Sequence, residues 1–355
     1  MTNMKRAFYI LTLLLILAIL SLAIFQFITR QMQKQTSPNV FTTTHLAGGF
    51  IVDTPARAMN AAANGIQVVF EYGQPPARNS TLGQKLQSLH MKVIDGYISS
   101  MLHYYECHRI KVLNLSVPQW SQYCHGDYYP YLSNEHVLLN TIATHLKQVK
   151  DNPLVIGYWV LDDWVSQDAG SAGQILIDIH KLIQQYTPER PAICGFGGQI
   201  EPGINSGWSD WIADNFSPQG CDNVGLYIYV AVLPDTVPTP AQNTYDWSMS
   251  RLLPTIFASL EKRGWDITKE PLIGIGQAFG GPRNNTHFYS VTPTAKDIEI
   301  QSKSFCEYGA SALVFYGWDN TEFGPTGLTP MNSTEIQKGI RNGIAACRLY
   351  WNTHR

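Results

Sequence analysis

The chain has 355 residues, a formal net charge of −2 and 15% charged residues. That length can bury one large core or two smaller ones, and the near-neutral balance excludes the basic surface that nucleic-acid binding requires. The 9 Trp and 18 Tyr supply flat amphipathic faces, which suit sugar rings and core packing alike.

The first six residues, MTNMKR, are short and basic. The run from Ala7 to Ile28 is apolar apart from scattered hydroxyls and one Gln. About 20 such residues cross a bilayer as a helix. Residues 7–29 are therefore expected to form a single N-terminal transmembrane signal anchor, with Lys5 and Arg6 holding residues 1–6 in the cytoplasm. The alternative is a signal peptide cleaved near SLA at 21–23, which would give a secreted protein. Either way the remainder is expected outside the cytoplasm. Residues 30–44 are polar and rich in Thr and Ser, a linker, and residues 45–355 form the folded domain.

From residue 46 onward, strand-like apolar runs alternate with helix-like segments. LAGGFIVD is followed by a helix from Pro55 that stops on Gly65. IQVVFEYG is followed by the helix TLGQKLQSLHM. KVIDGYI leads into a long irregular section reaching about Leu132. The next helix opens with Ser133 as its N-cap and repeats Leu138, Ile142, Leu146 and Val149 at helical spacing. LVIGYWVLDDW, AICGFGG, DNVGLYIYV, PLIGIGQAFGG and SALVFYGWDN then read as strands, each followed by a helical segment, with Pro254 as a kink in the helix after DNVGLYIYV. Eight strand-then-helix units over about 310 residues predict an α/β fold, a (β/α)8 TIM barrel behind the transmembrane helix. An open doubly wound sheet is the runner-up. It would carry a phosphate-binding glycine fingerprint after its first strand, whereas LAGGFIVD has its glycines before the apolar run.

Such barrels hold their active sites at the carboxyl ends of the strands. Those ends carry Asp53; Glu71 and Tyr72; Asp95 and Tyr97; Asp162, Asp163 and Trp164; Tyr227 and Tyr229; Gln277 and Phe279; and Tyr316, Trp318, Asp319 and Asn320. Asp53 reads as the cap of the first helix. Asp95 either faces the pocket or bonds a loop amide. Tyr227 and Tyr229 share a strand face, as a sugar platform or as core. Trp318 and Asp319 point opposite ways in a regular strand. Glycoside hydrolysis needs two carboxyl groups across a pocket, one a protonated acid and the other a nucleophile or base. Trp159 and Trp164 beside Asp163, with the like charge of Asp162, would raise the pKa of an acid there.

VIGYWVLDDW resembles the fourth-strand motif of glycoside hydrolases with the clan A type of (β/α)8 barrel, especially bacterial glycosidase-like proteins reading GWYLxDEP. PLIGIGQAFGG resembles their seventh strand, and TPTAKDIEIQSKSFCEYGASALVFYGWD their closing segment. The resemblance covers most of the chain beyond about residue 45. It implies that Asp163 is the acid/base, although Asp stands where those proteins have Glu. Gln277 stands where many of them have a nucleophilic Glu, so a second carboxylate is expected from Glu71, Asp319 or Asp95. The expected catalytic residues are Asp163, Glu71 and Asp319. Asp162, Asp95, Tyr227, Tyr229, Gln277, Trp318 and Trp164 are expected to bind carbohydrate.

The six cysteines follow the apolar run and can pair in an oxidising compartment. Neighbours in sequence give Cys107–Cys124, Cys194–Cys221 and Cys306–Cys347. The ECH at 106–108 and YCH at 123–125 could instead form a Cys2His2 zinc site, but the location favours the disulfide. No cofactor or metal is expected. Three readings stand: a membrane-anchored extracytoplasmic glycoside hydrolase, a non-catalytic carbohydrate-binding barrel, and a cell-surface structural or adhesion domain.

Overall fold

The structure, a computed structural model, describes residues 40–41, 45–112, 134–162, 173–197, 215–229, 232–234, 248–282, 288–290, 292–318 and 327–354, all within the unit Asn39–Arg355. The expected membrane span, Cys124, Asp163, Trp164 and Asp319 lie outside the described residues. Among those described, no helix is long and apolar enough to cross a membrane.

Eight parallel strands close into a barrel: β1 (Ala47–Phe50), β2 (Val68–Phe70), β3 (Lys92–Asp95), β4 (Val155–Leu161), β5 (Ala192–Gly197), β6 (Asn223–Ile228), β7 (Leu272–Gln277) and β8 (Ala312–Tyr316). Neighbours in sequence are neighbours in space, and β1 pairs with both β2 (Gly48 with Val68) and β8 (Ala47 with Leu313). The main helices among the described residues are α1 (Pro55–Ala63), α2 (Thr81–Ser88), α3 (Tyr97–Val112), α4 (Glu135–Val149), α5 (Gly173–Tyr186), α6 (Leu253–Glu261), α7 (Ala295–Glu307) and α8 (Thr334–Thr353). The (β/α)8 reading thus holds. The segments Val232–Pro234, Gly281–Pro282 and Phe288–Ser290 form a small antiparallel sheet beyond the ends of β6 and β7.

Four local readings change. The cap of α1 is Thr54, whose hydroxyl accepts from the Arg57 amide, while Asp53 pairs with the Arg57 side chain. The cap of α4 is Asn134, accepting from Val137. The section read as irregular begins with the 16-residue α3. Its buried positions mix Ile98, Met101 and Leu102 with Ser99 and Glu106, which erases the apolar periodicity a sequence reader follows. Pro254 sits in the first turn of α6, where a missing N–H is harmless, and the irregularity is a π-helical turn at Ser248–Leu252 just before it.

Strand alternation sorts the core into two layers. Val69, Val93, Val160, Leu226, Leu272 and Phe315 face the helices. Phe50, Phe70, Ile94, Trp159, Tyr227 and Ile275 fill the barrel interior, and Phe41, ahead of β1, joins them. Trp159 is the largest of these and is fully buried. Its indole lies across β5 and β6 because the facing positions are glycines. A Cβ on Gly195 would stand 2.1 Å from its Cζ2, and one on Gly225 2.7 Å from its Cη2.

Two disulfides lock the outer layer as the sequence predicts. Cys194–Cys221 joins β5 to the segment leading into β6, and Cys306–Cys347 joins α7 to α8. The third expected pair involves Cys124 and lies outside the described residues.

Gly195→Ala is expected to overpack the interior and lower stability by about 1–3 kcal/mol, with Gly225→Ala milder. Denaturant unfolding of both variants measures the order. Replacing Cys306 and Cys347 by Ser is expected to remove about 2–4 kcal/mol, read by the same unfolding experiment.

Candidate functional site

The end of β4 is where the interior meets the rim. Trp159 points inward. In a regular strand Val160 would then point outward and Leu161 inward. Instead the pairing with β5 shifts between Trp159 and Leu161, so that Leu161 pairs with Cys194 directly after Trp159 pairs with Ile193. Val160 and Leu161 both join the outer layer. An irregularity of this kind re-aims the next side chain, and Asp162 turns inward.

Asp162 is held from two sides. Its Oδ1 accepts from the Tyr227 hydroxyl at 2.6 Å and from the Trp159 indole N–H at 2.9 Å. The Tyr72 hydroxyl lies 3.4 Å from that of Tyr227. Burial pushes the Asp162 carboxyl above its ordinary range, opposed by the hydrogen bonds from Tyr227 and Trp159 and by nearby His103 on α3. Burial likewise raises the Tyr72 and Tyr227 hydroxyls well above their ordinary range, with the Asp162 charge adding to the shift.

Aromatic rings surround this carboxyl. Phe50 stacks on Tyr72 at 5.4 Å between centroids and contacts Trp159, Tyr227 and Tyr316 at 5.5–5.8 Å. Tyr229 meets Phe279 edge-on at 5.0 Å and Tyr316 at 5.7 Å. Tyr227 and Phe279 are buried, Tyr229 and Tyr316 are half-buried, and Tyr72 is 39% exposed. Tyr227 and Tyr229 therefore do share the interior face. Tyr72, Phe279 and Tyr316 stand at strand ends as the sequence places them, though with no role assigned to them, while the sequence does not single out Phe50 and His103. A period-two signal existed for Tyr72 and Tyr316, since Tyr72 lies two positions after Phe70 and Tyr316 two after Val314.

Three other candidates stand elsewhere. Asp95 follows the interior residue Ile94, so it faces the helices. It is fully buried, with its Oδ2 2.7 Å from His145 Nε2 on α4 and its Oδ1 accepting from the Tyr97 amide at 2.9 Å. The Tyr97 ring stacks on His145 at 4.0 Å. Asp95 is thus a pin between β3, α3 and α4, not a pocket wall. Trp318 follows Gly317, which has φ +82°. It packs over Gly49 in the outer layer and donates its indole N–H to Asn60 on α1 at 3.0 Å, so it seals β8 against the first helix.

Glu71 lies between the inward Phe70 and Tyr72, so it faces α1. Only 6% exposed, it has an Oε1 without a hydrogen-bond partner among the described residues. Its pKa is raised to about 8, first by burial and then by repulsion from Asp53, against attraction from Arg57. It is not brought opposite Asp162.

Gln277 shares the interior face of β7 with Ile273 and Ile275. It is fully buried, and its side-chain amide donates to the Phe279 carbonyl at 3.0 Å. Behind it, Gln301 on α7 accepts from the Gln277 amide and donates to the Ile228 carbonyl, fixing the ends of β6 and β7 together. Among the described residues no group of three or more His, Cys, Asp or Glu could hold a metal ion.

No protein family and no curated protein sequence matches the chain. Solved structures do resemble it. The β-galactosidase from the psychrophilic Marinomonas ef1 aligns with a TM-score of 0.54 at 10% identity, over 87% of this chain and 60% of that one. A Ruminococcus gnavus β-glucuronidase aligns at 0.47 and 10% identity, over 86% of this chain and 50% of that one. The chain therefore spans 60% or less of these proteins. At such identity the likeness to the β-galactosidase is one of fold, a glycosidase-like (β/α)8 barrel.

Glu71 makes a test of the electrostatics. Between pH 4.5 and about 8 the folded chain keeps the Glu71 proton that the unfolded chain releases. Stability is then lost as pH rises through that window. Glu71→Gln is expected to remove this part of the decline. Melting temperatures of both proteins across the window should diverge in favour of the variant towards the alkaline end.

Proposed function

We propose that the protein is a membrane-anchored, extracytoplasmic barrel that acts on carbohydrate as a glycoside hydrolase. One observation carries the reading: an inward carboxyl, Asp162, at the carboxyl end of a parallel barrel strand, set among aromatic rings with polar edges. That arrangement suits a sugar, whose C–H faces pack on rings and whose hydroxyls seek a fixed acceptor. The glycosidase-like fold agrees with it. The apolar run at 7–29 supports the anchor, and the two disulfides fit an oxidising compartment.

In this reading Asp162 orients the ligand, because both donors on its Oδ1 hold it in one position. Asp163, the next residue, donates the proton to the leaving oxygen. Asp319, which follows Trp318 after β8, is the second carboxylate. Glu71 faces α1, and Gln277 has no basic or nucleophilic oxygen of the required kind, so neither fills that role. A second reading, a carbohydrate-binding barrel without catalysis, is favoured by Gln277 itself: its amide is committed to the backbone at the strand end where many barrels of this clan carry their nucleophile.

The two readings part on kinetics. Asp163→Asn should lower turnover on a panel of aryl and oligosaccharide glycosides by roughly 10²–10⁴-fold while leaving the melting temperature nearly unchanged. Asp162→Asn should raise KM more than it lowers kcat. Full activity in folded Asp163→Asn removes the proposed acid. Glycan binding without turnover by the unsubstituted protein selects the second reading.

A further inference from the structure

The hydrogen bonds around Asp162 run in one direction, set by donor and acceptor chemistry. The Trp159 indole N–H can only donate, so the Asp162 Oδ1 that it meets at 2.9 Å is an acceptor. An oxygen receiving that donor has no proton of its own to give. The other contact on Oδ1, at 2.6 Å, is therefore a donation by the Tyr227 hydroxyl. A phenol has one proton. Tyr227 directs it at Asp162 and can only accept from its other neighbour, Tyr72. The Tyr72 hydroxyl lies 3.4 Å from that of Tyr227, a long hydrogen bond in which Tyr72 is left as the donor. It also helps to stabilise the Asp162 charge. With either partner its proton points inward.

A row thus leads from Tyr72 through Tyr227 to Asp162, and its outer end differs from the rest. Trp159 is 0% and Tyr227 1% exposed, whereas Tyr72 is 39% exposed. Tyr72 stands two residues past the end of β2, and Asp162 directly follows β4. Both are on the carboxyl-end rim, where barrels of this kind take their ligands. Phe50 stacks on the Tyr72 ring, which steadies its plane. A hydroxyl free to turn donates or accepts as its partner requires. The Tyr72 oxygen, its proton turned inward, has only lone pairs left to offer.

We propose that Tyr72 is a specificity-determining residue of the carbohydrate site: its oxygen, held as an acceptor by the row through Tyr227 to Asp162, takes a hydrogen bond from a sugar hydroxyl and rejects groups that cannot donate one. This rests on the carbohydrate reading and deepens it. Tyr227 is a positioning residue, since it acts through Tyr72 and Asp162. Such a site discriminates by polarity more than by size, because an acceptor set against an acceptor leaves both without a partner. Deoxyfluoro sugars isolate the effect. Fluorine replaces a hydroxyl at similar size and accepts weakly, but it has no proton to give.

The test is a set of binding titrations on the full-length protein in a polyoxyethylene detergent, which carries no sugar headgroup. Tetramers of glucose, N-acetylglucosamine, galactose and mannose are ranked first, and mono-deoxyfluoro derivatives of the tightest binder follow. At one hydroxyl position fluorine is expected to weaken binding about fivefold or more. In Tyr72→Phe, checked for folding by its melting curve, that penalty should fall to within about twofold. Tyr227→Phe keeps the Tyr72 hydroxyl but frees it to turn, so there too the penalty should fall to within about twofold. The absence of a penalty of that size at every position, or penalties unchanged in folded Tyr72→Phe, overturns the inference and leaves the carbohydrate reading standing. A penalty lost in Tyr72→Phe but kept in folded Tyr227→Phe overturns it as well, since the row would then not fix the acceptor. If one variant does not fold, the other decides by the same criterion. Failure of all four tetramers to bind overturns both readings.

Discussion

An indole inside a parallel barrel sets most of what surrounds it. Trp159 is too large to sit between ordinary strand residues, so β5 and β6 present Gly195 and Gly225 to its ring. Glycine in a strand normally weakens it through lost packing and greater unfolded-state freedom. Here the missing side chains are replaced by a single rigid plane that packs on Phe50, Phe70 and Tyr227. The same ring ends in an N–H that needs a partner when buried, and it finds Asp162 three residues on. Interior packing and the orientation of the one described inward carboxyl are therefore a single arrangement.

The irregular pairing after Trp159 makes that arrangement possible. Without the shift, alternation would carry Asp162 to the helix side. That is the fate of Asp95 and Glu71, which follow inward residues on regular strands. The three carboxyls illustrate how surroundings decide chemistry. Asp95 meets His145 and becomes a structural pin for α3 and α4. Glu71 meets like charge from Asp53 and holds its proton. Asp162 meets the hydroxyl of Tyr227 and the indole of Trp159, which fix its orientation.

The barrel was legible because its signals are additive: eight apolar runs spaced by helical segments leave little choice of architecture. The two disulfides followed from adjacency in sequence once the compartment was read. The rim was harder. Asp162 and Asp163 are adjacent, and simple alternation cannot say which faces inward when one pairing shift inverts the answer. Asp95 and Trp318 sat at the correct height on their strands but on the wrong face, a distinction that required knowing Ile94 to be interior and Gly317 to break β8. The helix α3 escaped because polar residues occupy its buried side, where Glu106 and Ser99 replace the expected apolar stripe. Phe50 was hidden because the two residues before it, Gly48 and Gly49, leave β1 without an alternating pattern.

The closure of the sheet also orders events in time. Ala47, Gly48 and Gly49 pair on one side with Leu313, Val314 and Phe315, so the first strand made is completed only by the last. During synthesis β1 waits as an unsatisfied edge while the intervening strands are produced, and such long-range pairing is intrinsically slow. The hydrogen bonds it eventually gains stand on both flanks at once, with β2 and with β8. A nascent chain halted before residue 312 would thus carry two raw sheet edges, a template for misassembly. The bond between Cys306 and Cys347 straddles β8 in sequence, so it can form only after the final strand has been delivered.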